Sequence, residues 1–399
     1  PCERYVSLKD SPDKTCPVCQ RPTEFLEEDN YFFRLSKYQD KMISYLKEHK
    51  DFIEPVSRYN EILSRVEMGM EDISISRASF DWGIPLPIDP KHIIWVWFDA
   101  LTNYLSAIGY PDDNNNVKKF WPADVHFMAK DILWFHAVIW PCMLMSAGLE
   151  PPRKIFAHGW WTMNSDKISK SKGNVIYPRD VIAKFGVDPA HNSGEKGDAP
   201  NSGLMCGVDS LRYFLLREIP FGQDGDFSYS ALLNRYNNEL GNELGNLILR
   251  TLTMIEKYNN GKIPVQDSAD NSNESLKKTI LSLQDVIMGH MEHFQFSLAL
   301  EKIWEIVRLA NKYVDDIKPW VLAKEKSPRL NTVLYTLAEV IRIISIYLTP
   351  FMPQTCESIR KQLGITDQEV SIPQHLMFGQ MIQGTKINKG NPLFPRIDE

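Results

Sequence analysis

The apolar pattern of this chain changes at about Tyr229, and that change limits the folds it can adopt. Beyond this point apolar residues recur at intervals of three and four, most clearly over 276–291, 296–314 and 333–348, which predicts amphipathic helices. Four or five such helices form a helical bundle. Upstream, short apolar runs alternate with longer amphipathic segments, as in an α/β unit. We therefore expect an α/β first part and an all-α second part.

Two apolar runs in the first part predict buried strands. Residues 93–98 form a continuous run of β-branched and aromatic side chains, as in a parallel sheet covered on both faces. Residues 154–158 form a shorter run of the same kind, and 131–146 has the length and apolarity of a helix. Between the two parts, residues 188–206 have the composition of a surface loop or insertion.

Composition excludes several classes of protein. The 399 residues are 43% hydrophobic and 24% charged, which excludes a disordered, collagen-like or disulfide-scaffold chain. No run of about 18 uncharged apolar residues occurs, so we expect no membrane span. The formal net charge of −6 excludes a globally basic surface. Contact with nucleic acid would depend on local groups, such as residues 166–184, with five Lys or Arg against two Asp.

Three of the six cysteines lie near the start of the sequence, and two of them have the spacing C-x-x-C. This spacing brings two thiolates to one side of a turn, where they can bind one tetrahedral metal ion. We therefore expect part of a zinc site at Cys2, Cys16 and Cys19, with a buried or redox-active pair as the alternative. The scattered cysteines are interpreted as core or loop thiols: Cys142, Cys206 and Cys356.

The segment from Lys167 to Ser171, with the sequence K-I-S-K-S, carries the most informative chemistry. Lysines and hydroxyls at this density suit a loop that closes over phosphates and neutralises charge in a transition state. A solvated basic turn is the alternative. His158 and Gly159 end the predicted strand just upstream, and α/β sheets bind nucleotides at the carboxyl ends of their strands. This context favours a phosphate site.

At these residues the sequence resembles the class I aminoacyl-tRNA synthetases, whose loop reads K-M-S-K-S, with Ile168 here in the second position. The segments 97–104 and 130–140 resemble the methionyl-tRNA synthetases in particular. Aromatic faces suit a thioether because sulfur is soft and polarizable; simple core packing is the alternative for such a helix. The methionine pocket implied by the resemblance consists of Trp97, Ala100, Leu101, Tyr104, Ile132, His136 and Trp140.

The resemblance also implies an ATP site. Its catalytic residues would be Lys167 and Lys170, with Lys170 stabilising the phosphates. The full set of implied ATP-binding residues is Lys170, Asp131, His158, Gly159, Trp161, Ser169 and Ser171. Mg²⁺ is expected with the phosphates, and Zn²⁺ is a further candidate cofactor. Ala129 stands where the family usually has Gly, and Arg77 matches a position near the active site or forms a structural ion pair.

A second readable site lies in the helical part. Asn246 and Arg250 are four residues apart on one predicted helix, on a polar stripe with Glu239 and Glu243, and Trp320 follows the end of another. Such side chains can contact base edges and stack on an unpaired base. A helix cap and an interhelix Trp are the alternative. The resemblance implies that these residues read the CAU anticodon.

The resemblance extends along the whole chain, and the residues in its motifs are most like those of bacterial members. It implies the second half of a Rossmann-like nucleotide fold followed by an α-helical anticodon-binding bundle. The implied parts are a connective domain with a partial zinc knuckle (1–75), the C-terminal half of the catalytic domain (76–175), a stem-contact segment with an insertion loop (176–230) and the anticodon-binding domain (231–399).

The implied activity is that of a methionine–tRNA ligase, which activates methionine with ATP and transfers it to tRNA(Met). We expect a monomer in the cytoplasm, with the mitochondrial matrix as the alternative. The family's H-I-G-H motif does not occur in these 399 residues, so on their own they are expected to form methionyl-adenylate poorly. The alternatives are a non-catalytic tRNA-binding module and a class I synthetase for another apolar amino acid.

Overall fold

The computed structural model of the chain consists of two compact units, one ending at Ala157 and the other beginning at His158. At Lys167 and residues 202–206 it describes the backbone alone. The residues it describes are 11, 13–16, 21–24, 27–79, 81–168, 173–185, 202–266, 273–365 and 374–398. The four-part functional division inferred above stays a prediction, because compactness alone does not assign roles.

The first unit mixes short strands with helices. Its strands are β1 (Phe32–Phe33), β2 (Ile53–Glu54), β3 (Ile73–Ser74), β4 (Ser76–Arg77), β5 (Pro85–Leu86), β6 (Asp89–Ile94), β7 (His126–Ala129) and β8 (Ile155–His158), whose last residue is the first of the second unit. Its α-helices are α1 (Gln39–Glu48), α2 (Val56–Glu67), α3 (Val96–Ser106), α4 (Asn114–Phe120) and α5 (Trp140–Ala147). The described part of this unit also contains two 3₁₀-helices and a π-helix: Leu35–Tyr38, Lys130–Ile132 and Phe135–Ile139.

The predicted strand over 154–158 is confirmed. β8 lies in the middle of a three-stranded sheet of order β2-β8-β7, and it is parallel to β2, with Ile53 opposite Ile155. Ile155, Phe156 and Ala157 are all buried. A central strand covered on both faces needs apolar residues at every position, which is why the run shows no alternation.

The predicted strand over 93–98 is wrong in its second half. β6 ends at Ile94 and pairs antiparallel with β4 and β5, and helix α3 begins at Val96. The run stays apolar because Trp97 and Phe98 pack from the helix against the core of the first unit. Six apolar residues do not distinguish a strand from a strand followed by the first turn of a helix.

Where the structure describes it, the second unit is helical apart from one small sheet. Its strands are β9 (Trp161–Met163), β10 (Asp166–Lys167) and β11 (Gly225–Asp226). Its α-helices are α6 (Pro178–Phe185), α7 (Ser202–Arg217), α8 (Tyr229–Arg235), α9 (Asn246–Tyr258), α10 (Glu274–Ser282), α11 (Gln284–Glu292), α12 (Phe296–Ile317), α13 (Pro319–Lys324), α14 (Arg329–Leu348) and α15 (Pro353–Gln362). A π-helix and a 3₁₀-helix are also present: Tyr236–Gly245 and Gln374–Leu376.

The predicted helical stripes are confirmed, with one division. The stripe over 276–291 is two helices, α10 and α11, whereas those over 296–314 and 333–348 are single helices. The loop predicted over 188–206 is wrong at its end, because α7 begins at Ser202; residues 186–201 lie outside the described part of the chain. Small and polar residues at the start of a helix imitate a loop composition.

Helix α14 is the central helix of the second unit. Of the helices that the structure describes, it is the one whose length and apolarity would allow it to cross a membrane; its most apolar window is 94% buried, as in a core helix. Its buried Arg342 forms an ion pair with Glu339 at 2.7 Å and donates to the carbonyl oxygens of His375 and Met377. Glu339 in turn accepts from the Met381 amide. Through these hydrogen bonds, Arg342 and Glu339 hold residues 375–381 against α14.

Candidate active site

A tyrosine–histidine pair forms the centre of the predicted methionine pocket. Tyr104, on α3, lies with its hydroxyl oxygen 3.0 Å from His136 Nε2. His136 Nδ1 lies 3.0 Å from the carbonyl oxygen of Ile132, one turn earlier. A carbonyl only accepts, so Nδ1 carries the proton and Nε2 accepts from the tyrosine. Burial lowers the pKa of His136, against the opposing effect of the Ile132 bond, so the ring is neutral at pH 7.

Aromatic rings surround this pair. Trp97 stacks on Phe135 at 3.9 Å between ring centroids and 8° between planes, and it meets the edge of His136 at 6.1 Å. Trp140 lies 6.2 Å from Tyr104 and is fully buried. The π-helix over Phe135–Ile139 carries His136 and ends where Trp140 begins α5. The structure thus gathers Trp97, Tyr104, Ile132, His136 and Trp140.

The two remaining predicted pocket residues lie on α3. Leu101 is buried in the core of the first unit, where it supports the helix, and Ala100 is exposed on the same helix. Phe135 was missed by sequence reasoning, although it lies beside His136 in the sequence. The available signal was its aromatic side chain next to a predicted pocket residue. Helical spacing alone selects Ile132, His136 and Trp140 and leaves Phe135 out.

Two further aromatic residues, Trp121 and His126, were also missed. With Tyr104 and Trp140 they close a ring of four: His126 lies 4.1 Å from Tyr104, and Trp121 lies 6.1 Å from His126 and 6.0 Å from Trp140. His126 Nε2 is buried with no hydrogen-bond partner. Burial, together with the nearby His136, lowers the pKa of His126 to about 4. His126 is therefore an uncharged ring that packs beside Tyr104.

The predicted ATP residues His158 and Gly159 line a cavity of about 410 Å³ in the second unit. Trp160, Trp161 and Ile168 also line it, together with residues 215–216 and 219–223. Gly159 allows close approach of a second chain segment: a Cβ there would lie 2.2 Å from the carbonyl oxygen of Gln223. The cavity therefore depends on a glycine at this strand end.

The lysine segment, residues 167–171, begins inside a β-hairpin. β9 and β10 pair antiparallel, with Thr162 opposite Lys167. Ile168 follows and borders the cavity. The side chain of Lys167 and residues Ser169, Lys170 and Ser171 lie outside the described part of the chain, so their roles stay predictions.

Other positions singled out in the sequence lie in the first unit. Asp131 is exposed on the 3₁₀-helix that follows β7. Ala129 has φ −74°, a conformation that any residue adopts, so the missing glycine causes no backbone strain. Arg77 donates to Ser74 Oγ at 2.7 Å and lies over the ring of Trp95.

Zinc binding at the start of the chain stays a prediction. Cys16 is buried, and its amide donates to the carbonyl oxygen of Arg21 at 2.8 Å. Cys2 and Cys19 lie outside the residues that the structure describes. Within those residues, no three His, Cys, Asp or Glu side chains are close enough to hold a metal ion. Cys142 and Cys356 are buried core thiols, as predicted, and burial raises the pKa of each to about 12.

The predicted anticodon residues lie on neighbouring helices. Asn246 is exposed at the start of α9, and Arg250 on the same helix donates to Asp315 Oδ1 at 2.9 Å. Asp315 belongs to α12, and α13, which packs on α9, carries Trp320 with 43% of its surface exposed. The polar stripe predicted to include Glu239 is interrupted, because the π-helix Tyr236–Gly245 precedes α9 and changes the helical period.

Two family models match the chain. The model described as "tRNA synthetases class I (M)" matches residues 1–190 and 200–252. The chain belongs to this family. A second model, "Anticodon-binding domain of tRNA ligase", matches residues 276–378. The fold is therefore a class I synthetase catalytic domain with a helical anticodon-binding domain, as the sequence predicted.

Curated members of this family are similar along the whole chain. The methionine–tRNA ligase of Caldanaerobacter subterraneus is 47% identical over 401 residues, and the match covers 100% of this chain and 59% of that protein. The methionine–tRNA ligase of Thermotoga maritima is 42% identical over 404 residues, covering 100% of this chain and 61% of that protein. The chain thus spans about three fifths of the length of these relatives.

Solved structures of the family have the same fold. Mycobacterium tuberculosis methionyl-tRNA synthetase in complex with methionyl-adenylate superposes with a TM-score of 0.86 at 40% identity, covering 96% of this chain and 72% of that one. The free form of that protein superposes with a TM-score of 0.84 at 38% identity, with the same coverage.

Proposed function

We propose that the full-length gene product containing this chain is a methionine–tRNA ligase, which joins methionine to ATP as methionyl-adenylate and transfers it to tRNA(Met). The observation that carries this proposal is the cluster of aromatic rings packed around Tyr104 and His136. Its histidines are neutral and its walls are ring faces, so it favours an uncharged, polarizable side chain. Each sulfur–aromatic contact adds roughly 0.3–1.5 kcal/mol.

The ATP site is the cavity at His158 and Gly159 together with the lysine segment. Lys170 stabilises the phosphates during attack by the methionine carboxylate. Mg²⁺ enters with the phosphates, since a hard cation prefers oxygen ligands. Zn²⁺ is held by Cys2, Cys16 and Cys19 with one further ligand, a structural role typical of such thiolate sets. The protein acts as a monomer in the cytoplasm.

The test of activation is ATP–pyrophosphate exchange by the full-length gene product with different amino acids. Exchange that depends on methionine, at least about a hundredfold above valine, isoleucine or cysteine in kcat/KM, supports the proposal. Preference for one of those three would make the protein a different class I synthetase. Absence of exchange, with tRNA binding retained, would make it a non-catalytic tRNA-binding module.

The test of tRNA recognition is a gel shift with tRNA(Met) and a non-cognate tRNA. Loss of one base stack costs roughly 1–3 kcal/mol, so Trp320→Ala should weaken binding of tRNA(Met) about tenfold or more. Trp82→Ala is the matched control, because Trp82 is 87% exposed in the first unit and has no place in the predicted anticodon site. Equal affinities for the two variants would remove the anticodon role of Trp320.

A further inference from the structure

The hairpin before the lysine segment turns through two residues in the left-handed region. Asn164 and Ser165 have φ values of 53° and 63°. This is the geometry of a two-residue hairpin turn, and Asn tolerates it better than most residues. Ser165 tolerates it less well, so a hydrogen bond from outside the hairpin would help to hold this turn. The turn sets where the backbone passes from Lys167 to Ile168.

That outside bond comes from Asp226, on β11. Its Oδ1 accepts from the amide of Ser165 at 2.9 Å and from Thr162 Oγ1 at 2.6 Å. Thr162 is the residue paired with Lys167 across the hairpin. One carboxylate oxygen therefore joins the first strand of the hairpin to its turn.

Backbone contacts fix Asp226 in this place. β11 is parallel to β9, with Asp226 opposite Thr162, and the amide of Phe227 donates to the Thr162 carbonyl at 2.8 Å. Gly225 precedes Asp226, and a Cβ there would lie 1.4 Å from Ile219 Cδ1, so a larger residue would have to displace that side chain. Next to it, Asp224 accepts from the amide of Trp160 at 2.8 Å.

The carboxylate itself is exposed and ionised. Asp226 is exposed, so truncating its side chain opens no cavity in the core. The hydrogen bond from Thr162, followed by that from the Ser165 amide, lowers the pKa of Asp226. Hydrogen bonds to a charged acceptor are stronger than those between neutral groups.

We infer that Asp226 is a positioning residue for the lysine segment: its carboxylate holds the Asn164–Ser165 turn and so fixes the backbone at Lys167 and Ile168, where that segment begins. The inference rests on the proposed function. In this inference, a residue about 60 positions downstream of the lysine segment helps to fix the position of that segment before ATP binds.

The first test measures the hairpin itself and needs no activity. Asp226→Ala should speed hydrogen exchange at the Ser165 amide about tenfold or more, because that amide loses a charged acceptor. It should also speed trypsin cleavage after Lys167. Asp226→Asn, which keeps an oxygen acceptor, should lie between wild type and Asp226→Ala. Asp398→Ala is the control, since that side chain is 96% exposed.

The second test uses ATP–pyrophosphate exchange by the full-length gene product. Asp226→Ala should raise KM for ATP or lower kcat about tenfold, while KM for methionine stays within about twofold; Asp226→Asn should restore most of the loss. A general fold defect would instead change both KM values and speed exchange throughout α14.

The outcomes separate the two proposals. If wild type exchanges no amino acid, the proposed function fails, whatever the hairpin shows. If wild type is active with methionine but Asp226→Ala leaves Ser165 exchange and the ATP parameters unchanged, the positioning role fails. Faster exchange throughout the second unit, or equal losses for both substrates, also overturns it by making Asp226 a general structural residue.

Discussion

The Tyr104 hydroxyl donates a hydrogen bond of 3.0 Å to His136 Nε2, because the other ring nitrogen of His136 already donates one to the Ile132 carbonyl oxygen. The chain of bonds has one direction only, from tyrosine to histidine to backbone. It fixes the tautomer of the histidine and the orientation of both rings. In the proposed enzyme, the pocket is therefore oriented before methionine arrives.

The Tyr104→Phe variant tests this orientation. It keeps the ring but leaves His136 Nε2 as a buried acceptor without its donor, a loss of about 1–3 kcal/mol. We expect KM for methionine to rise about tenfold in pyrophosphate exchange by the full-length gene product, with KM for ATP nearly unchanged. Tyr110→Phe, at an exposed position of the same unit, is the control. An unchanged KM for methionine would contradict the assigned role of this bond.

The low pKa of His126 predicts a loss of stability in acid. The pKa of His126 is about 6.5 in the unfolded chain and about 4 in the native state. At a pH between these two values, His126 binds a proton in the unfolded chain but not in the native protein. The free energy of unfolding is then highest above pH 6.5 and falls by up to about 3 kcal/mol as the pH approaches 4.

Urea unfolding of His126→Gln at pH 7 and pH 4.5 measures this contribution. The variant should lose less stability than wild type between the two values, because it has no imidazole to protonate. His49→Gln, at an exposed position in the first unit, should keep the wild-type difference. If His126→Gln keeps it as well, His126 is not the group responsible.

Gly159→Ala tests the close approach at the strand end. The new methyl group would lie 2.2 Å from the Gln223 carbonyl oxygen and 2.6 Å from the Asp224 amide nitrogen, so the backbone must move. We expect a loss of about 1–3 kcal/mol in thermal unfolding, as for other overpacked sites. Gly289→Ala is the control: nothing lies within 4 Å of its Cβ position on a helix, and it should be neutral or stabilising.

Arg342→Met tests the ion pair within α14. Removing the guanidinium leaves Glu339 as a buried, unpaired charge and leaves the His375 and Met377 carbonyls without their donor. Such a change costs about 3–5 kcal/mol. Lys361→Met, which breaks an exposed pair with Glu357, should cost less than about 1 kcal/mol. Similar unfolding free energies for the two variants would show that the buried pair is not needed for stability.

The fold could be predicted where periodicity is long. The stripes of α12 and α14 extend over about five turns, so the 3.6-residue period is unambiguous. The run over 93–98 is too short for that, and its change from strand to helix at Trp95 depends on pairing with β4 and β5. The π-helix before Asn246 has no sequence pattern that separates it from an α-helix.

The pocket could be predicted from residue types and the family resemblance, but only in part. Tyr104, His136 and Trp140 were found because they lie in recognisable segments. His126 and Trp121 were missed because they reach Tyr104 and Trp140 through the packing of β7 and the chain before it, which no local spacing encodes. Asp226 was missed for the same reason, since its partners are about 60 residues earlier in the sequence.

The order β10-β9-β11 also has a practical meaning for anyone who shortens this protein. The third strand of the sheet, β11, lies after α7. A product that stops at the lysine segment would therefore contain both strands of the hairpin but not β11 with its Asp226 carboxylate. A product that stops anywhere before Phe227 would also lack the amide that donates to the Thr162 carbonyl oxygen. The smallest piece worth expressing for work on nucleotide binding therefore extends past Phe227. In this molecule, the limits of a usable piece are set by strand pairing and not by motif boundaries.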